Sequence, residues 1–356
     1  MALYIGIDLH SRSCYIAGID EERKRVLEKK IVNDIDLILK FLQPYKEKIA
    51  SIAVESTYNW YWLVDGLQGA GYKVKLANPS AMHKYKGIKH INDRHDAFWL
   101  AEMLGLGILP EGYIYPKEER STRDLLRKRL KLVQLRTGMI NSLKGIMARE
   151  GYKRIGANKI KALKKDYIES WLPEDEGIEI QIKICKEYID SLTEKIKLIE
   201  KKVKERVKLR PEFEKLLTVP GIGEILAMTI MLEVGDIRRF KKVGDFASYS
   251  RKVESKWKSE EKLKGKGNKK NGNKYLAWAF SEAAELARRF DEKCKKFYQG
   301  KLAKTNKPVA HSALSHKISR ATYFVLRDNV EFDYEKLFGQ KTGIGSQRTG
   351  LVKLKS

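Results

Sequence analysis

Three short apolar runs at the start of the chain leave its first hundred residues little choice of fold. Leu3-Tyr-Ile-Gly-Ile-Asp8 reads as a buried strand. The turn-prone His10-Ser-Arg-Ser13 leads into a second run, Cys14–Ile19, and Arg25–Val32 makes a third. Connections this short predict an antiparallel meander. The period then changes. From Asp34 to Tyr45, residues Ile35, Leu37, Ile38, Phe41 and Leu42 recur at helical spacing. A strand at Ile49–Val54, a helix from Tyr58 to Gly69 ended by Gly71, and a strand at Tyr72–Ala77 stopped by Asn78-Pro79 complete an alternating α/β region.

Acidic residues punctuate that region. Asp8 and Glu55 each end an apolar run, and Asp93 and Asp96 stand three apart where the helical pattern Phe98–Leu104 begins. On a helix, i and i+3 share a face, so both carboxylates address one spot near the positive end of the dipole. A cap plus a first-turn acid is the plain structural explanation of such a pair. The order β-β-β-α-β-α-β-α, however, fits a ribonuclease-H-like sheet, and active sites of layered α/β sheets gather at strand C-termini. Four carboxylates converging there would bind a hard divalent cation, Mg²⁺ or Mn²⁺. Phosphodiester cleavage with two such ions places them roughly 3.5–4 Å apart.

Charge names the class of partner. Against 46 Asp+Glu stand 72 Lys+Arg, a net charge of +26. A Lys/Glu-rich surface explains many charges but not this imbalance, which favours a polyanion. No apolar run approaches a membrane span, and Met1-Ala-Leu-Tyr opens straight into a strand pattern without a signal peptide. Cys14, Cys185 and Cys294 are scattered and make neither a disulfide framework nor a zinc site. The expected location is cytoplasmic, prokaryotic and nucleoid-associated.

Pro110 to Pro116 reads as a linker. Lys117 to Glu150 is a long basic amphipathic helix whose Arg127 and Arg129 either follow a nucleic-acid backbone or form a solvated face. In Ile178 to Val207, residues Ile182, Cys185, Ile189, Leu192, Ile196, Ile199 and Val203 alternate by three and four. That is a coiled-coil seam between protomers or the inner face of a hairpin with the preceding helix. Leu216-Leu-Thr-Val-Pro-Gly-Ile-Gly223 before an apolar helix resembles a helix-hairpin-helix. Gly221 and Gly223 then either present backbone N–H groups to phosphate or make a tight turn. The run from Ser250 to Lys270 carries Ser255, Lys256, Lys258, Ser259, Lys262, Lys264, Lys269 and Lys270. Composition alone makes it a flexible, nucleic-acid-binding basic loop. Helices start at Asn271–Leu276 and at Asn306-Lys-Pro308, and the polar stretch 340–356 reads as a disordered tail.

Gly6-Ile-Asp8-Leu-His10, Ala53-Val-Glu55-Ser and Asn92-Asp-Arg-His-Asp-Ala97 resemble the acidic blocks of DEDD-type insertion-sequence transposases, the Piv-like group that includes the bridge-RNA-guided recombinases. Phe246-Ala-Ser-Tyr249, Ser255-x-x-x-Ser259 and Gly267–Leu276 resemble their C-terminal domain. The resemblance implies a RuvC-like first domain in which Asp8, Glu55, Asp93 and Asp96 hold the metal. It also implies a serine, Ser259, that links covalently to DNA; Ser255 is the alternative. Glu260-Glu261 stand where relatives carry a small residue and glycine. A serine without a base in its own loop needs a metal for activation, so a composite site is expected. Also implied are DNA, a guide RNA and a homodimer or homotetramer as partners. The expected domains are 1–110 (RuvC-like), 111–210 (helical, coiled-coil), 211–330 (all-α, with helix-hairpin-helix and serine loop) and 331–356 (tail). The competing functions are a metal-dependent junction endonuclease using water, and a non-enzymatic nucleic-acid-binding protein.

Overall fold

The computed structural model describes residues 1–82, 92–152, 155–163, 175–253, 256–259, 262–266 and 271–338. Its contacts divide into two compact units, Met1–Ser121 with Asn268–Asn271, and Thr122–Gly267 with Gly272–Ser356.

The first unit is a six-stranded mixed sheet between helices. Strands β1 (Leu3–Leu9), β2 (Ser13–Ile19) and β3 (Arg25–Val32) form the expected meander, and β4 (Ile49–Glu55) and β5 (Val74–Ala77) add in parallel. The order is β3-β2-β1-β4-β5-β6. Strand β6 (Glu111–Gly112) pairs antiparallel with β5 and lies in the stretch that reads as a linker in sequence. Two residues are too few to show a period. Alternation along β1 sends Leu3, Ile5, Ile7 and Leu9 into one core, shared with Ile38 and Leu42 of α1 (Ile35–Leu42) and Leu63, Val64 and Leu67 of α2 (Tyr61–Gly69). Asp34 caps α1 by accepting from the amides of Asp36 and Leu37.

The opposite face is paved with small residues. A Cβ on Gly6 would lie 2.0 Å from the Ala97 carbonyl oxygen and 2.7 Å from the Ala101 amide. Only glycine therefore lets helix α4 (Asp93–Gly105), which follows the short α3 (Pro79–Met82), rest directly on β1. Ala17, Ala53, Ala97 and Ala101 complete that contact. Asp8 and Glu55 follow Gly6 and Ala53 by two residues, so the same pleat sends both to the α4 face. The close approach that Gly6 permits brings the start of α4 to them.

The second unit is mostly helical. Helix α5 (Lys117–Arg149), within which the division at Ser121 falls, precedes α6 (Ala157–Ala162) and α7 (Glu176–Val207). Arg129 bonds Glu200 at 2.8 Å and Arg136 bonds Thr193 at 3.1 Å. Seven residues forward on one helix match seven back on the other, so α5 and α7 run antiparallel. The Ile182, Ile189, Ile196 and Val203 stripe is buried inside this single chain, with Ile182, Cys185 and Ile189 packed on Ile140, Leu143, Ile146 and Met147. The stripe is therefore the inner face of a hairpin. Ile189→Lys combined with Ile196→Lys should destabilise one chain by on the order of 5 kcal/mol or more. Calorimetry should show an early unfolding transition. An unchanged midpoint with a smaller assembly would instead make the stripe an interface.

Helices α8 (Pro211–Leu217), α9 (Glu224–Val234), α10 (Val243–Tyr249), α11 (Lys274–Phe290), α12 (Glu292–Leu302), α13 (Lys307–Asp328) and α14 (Tyr334–Phe338) share the larger core. Phe246 is its centre, with ring centroids 5.3 Å from Phe240, 5.9 Å from Phe280 and 5.8 Å from Tyr323. Gly221 has φ +79°, and a Cβ there would lie 2.1 Å from the Ala283 carbonyl oxygen. Close approach to α11 thus accounts for Gly221, while Gly223 has open space around it. The backbone at Lys256–Ser259 (β7) and Lys262–Lys266 (β8) pairs as an antiparallel hairpin, where composition suggests a flexible loop. The alternating Lys-Trp-Lys and Lys-Leu-Lys triplets have strand periodicity that the charge count hides. Ser255, Lys269, Lys270, Glu260-Glu261 and the tail 340–356 lie outside the described residues. Among the described residues no helix is long and apolar enough to cross a membrane, and the three cysteines are free and buried.

Candidate active site

The end of β1 and the start of α4 build the first site. Asn92 caps α4 through a 2.9 Å bond from the His95 amide, which places Asp93 and Asp96 in the first turn. Asp8, 2% exposed, lies beside His10, whose Nε2 is 3.0 Å from Asp8 Oδ2 and 3.1 Å from Asp93 Oδ1. Asp8, His10 and Asp93 each offer a ligand atom, all within 4.8 Å of one another. Glu55 and Asp96 are outside that set of three, yet both act on Asp8. Burial, a hydrogen bond with Glu55, and the negative charges of Glu55 and Asp96 push the Asp8 carboxyl up to about 7, against the pull of His10. Asp93 behaves differently. Burial pushes it up, but His10 and Lys30 outweigh burial and hold it below the usual carboxylate range.

Several residues here carry no sequence motif. Lys30 Nζ is 3.4 Å from Asp93 Oδ2. Arg94, between the two aspartates, grips Glu28 of β3 with bonds of 2.5 and 2.8 Å, and Tyr15 donates to the same carboxylate. The fork-on-carboxylate contact ties the α4 start to the meander. His10 had one signal in the sequence: it stands two residues beyond Asp8, the spacing that shares a strand face.

The second candidate element is the β7–β8 hairpin, which ends β7 at Ser259; the backbones of Ser259 and Lys262 are paired. Lys256, Lys258 and Lys264 belong to the same two strands. The chain on either side is pinned. The Asn273 amide donates to the Tyr249 carbonyl at 2.6 Å, and the Arg251 guanidinium donates to the Gly272 carbonyl at 2.9 Å. Asn273 also caps α11 and donates through Nδ2 to Glu233 at 2.7 Å. Glu233, 3% exposed on the otherwise apolar α9, takes a two-pronged contact from Arg127 at 2.6 and 2.7 Å. Removing one partner of such a buried pair strands a charge, at a cost of about 3–5 kcal/mol. Arg127 and Arg129 thus face inward onto Glu233 and Glu200 instead of outward along a helix surface. Lys252, just ahead of the hairpin, donates to Ser281 Oγ at 2.8 Å, and burial pushes its ammonium down to about 8.

Known proteins match both regions in chain order. A family model described as a transposase, of the DEDD IS110 type, matches residues 5–150. A second, described as transposase IS116/IS110/IS902 family, matches residues 213–299. The chain is 23% identical to a probable family 20 transposase of Pseudomonas aeruginosa, over 90% of this chain and 96% of that one. It is 25% identical to the transposase for insertion sequence element IS1328 of Yersinia enterocolitica, over 92% and 98% of the two chains. With the transposase for insertion sequence element IS1111A of Coxiella burnetii the identity is 24%, over 76% and 74%. Two transposase models in succession, and relatives aligned almost end to end, show that this chain belongs to the DEDD-type IS110 transposase family and is a DNA transposase of an insertion sequence.

Proposed function

We propose that this transposase cuts and exchanges DNA strands through a covalent serine–phosphate link, with a divalent cation held by Asp8, Glu55, Asp93 and Asp96 on a RuvC-like sheet. One observation carries the metal reading. Among the described residues Asp8 Oδ2 is buried and accepts no hydrogen bond, with His10 Nε2 3.0 Å away and Glu55 and Asp96 adding negative charge. Packed anionic oxygens are costly without a cation, so the donor set fits one. Such ions, Mg²⁺ or Mn²⁺, when bound lower the cost of ionising an attacking hydroxyl and neutralise a departing oxygen.

The chain's own residues do the rest. Ser259 Oγ attacks a backbone phosphorus. The new Oγ–P bond forms as one P–O bond of the DNA breaks, and the departing oxygen leaves as a hydroxyl that takes up the serine proton. Lys256, Lys258, Lys262 and Lys264, together with Lys269 and Lys270, hold phosphate near the hydroxyl, and Gly223, the N-cap of α9, offers helix-start amides to the backbone. The reverse step, attack by a new strand end on the phosphoserine, completes exchange. Two DNA partners need more than one active site, so the protein works as a homodimer or homotetramer.

A structured noncoding RNA that pairs with donor and target DNA is the proposed guide, since a basic surface reads RNA and DNA alike. Purification under native conditions, followed by nuclease digestion and sequencing of the bound nucleic acid, tests this. One abundant RNA species is the expected result, and only random fragments would remove the guide.

A further inference from the structure

His10 is the donor at the end of β1 that the four acids do not account for. Its Nε2 lies 3.0 Å from Asp8 Oδ2 and 3.1 Å from Asp93 Oδ1. Among the described residues Asp8 Oδ2 nevertheless accepts no hydrogen bond, and the side chain that carries it is 3% exposed. Donor atoms about 3.0 Å apart are what neighbouring ligands need around an octahedral ion with bonds of about 2.1 Å. Lys30 takes the other Asp93 oxygen, Oδ2, and leaves Oδ1 towards the imidazole.

The backbone of His10 is held more firmly than a surface turn requires. Its carbonyl accepts from Asn33 Nδ2 at 2.9 Å, at the end of β3, and from Asn59 Nδ2 at 3.1 Å, beyond the end of β4. Asn59 is itself held, accepting from Thr57 Oγ1 at 2.9 Å. The His10 amide donates to the Ser13 carbonyl at 3.0 Å. Residues just past β3 and β4, strands that lie on opposite sides of β1, thus hold the His10 carbonyl, the kind of support that orients a metal ligand.

We propose that His10 ligates the divalent cation together with Asp8 and Asp93, and that its nitrogen biases the site towards a transition ion, Mn²⁺, over Mg²⁺. The proposal rests on the metal-binding reading of the acids. Mg²⁺ favours oxygen ligands and retains its waters, whereas imidazole suits first-row transition ions, and Mn²⁺ accepts both imidazole and carboxylate.

The test uses the full metal-free chain, titrated with MnCl₂ and with MgCl₂ in a calorimeter. Pulsed paramagnetic resonance of the Mn²⁺ form reports directly bound nitrogen. Wild type should bind Mn²⁺ more tightly than Mg²⁺ and show ¹⁴N modulation. His10→Gln should lose the modulation and weaken Mn²⁺ by about tenfold or more, with a smaller effect on Mg²⁺. His95→Gln, altering the nearby histidine of α4, should keep the modulation. Mn²⁺ bound without nitrogen coupling in wild type, or coupling that survives His10→Gln, overturns the proposal and leaves the acids as ligands. Mn²⁺ binding that Asp8→Asn does not weaken overturns the reading of the acids as well.

Discussion

Ser259→Ala is expected to abolish the covalent protein–DNA adduct and, with it, strand exchange, while DNA is still bound. A bare serine is a poor nucleophile, but nothing else at that position replaces its oxygen, so the rate should fall on the order of a thousandfold or more. Binding should change little, because one neutral hydroxyl is lost while the lysines of the hairpin stay. With end-labelled DNA, a denaturing gel should show label on wild-type protein and none on the variant. Ser255→Ala is the matched control. If it removes the label while Ser259→Ala keeps it, the nucleophile is Ser255. If wild type cuts DNA with metal but never carries label, water is the nucleophile and the enzyme works as a junction-type endonuclease. A chain that binds DNA and neither cuts nor carries label would point to Glu260-Glu261, where the family resemblance implies a small residue and glycine.

Asp8→Asn and Asp93→Asn should each abolish metal-dependent cleavage and leave DNA binding largely intact. An amide keeps the shape but removes the charge that holds a cation, and wild-type cleavage in both variants would sink the metal reading. Asp8→Asn has a second signature. Its carboxyl sits at about 7 in the folded chain against 3.8 ordinarily. The folded state therefore holds a proton that the unfolded state has lost between those values. Stability of the metal-free protein should fall as pH rises from about 4 to 7, by on the order of 2–4 kcal/mol. Thermal melts from pH 5 to pH 8 should show that decline in wild type, a flatter profile in Asp8→Asn, and recovery when a divalent cation is added. A wild-type profile that is level without metal would mean that Asp8 ionises freely.

Helix starts were legible one by one, because caps are local. Asp34, Asn273 and Asn306 each accept from amides two or three residues on, and no distant partner is needed. The hairpin at β7–β8 was harder to see. Lysine count outweighed a short alternation, and charge says nothing about backbone pairing. The α7 stripe was half legible: its period showed a buried seam, but period cannot say whether the facing helix belongs to the same chain.

The chain's local patterns by themselves determined the meander, the two strands after it, the long helices, and four acids at strand ends and a helix start. Each arises from periods of 2 and 3.6 or from end residues, which act within a few positions. Tertiary structure alone decided the rest. It made Gly6 a contact surface for α4 and brought His10 between Asp8 and Asp93. It also turned Arg127 inward onto Glu233, 106 residues away. Such partners depend on how finished elements pack, and a close approach of two backbones leaves no periodic trace in the residues that allow it.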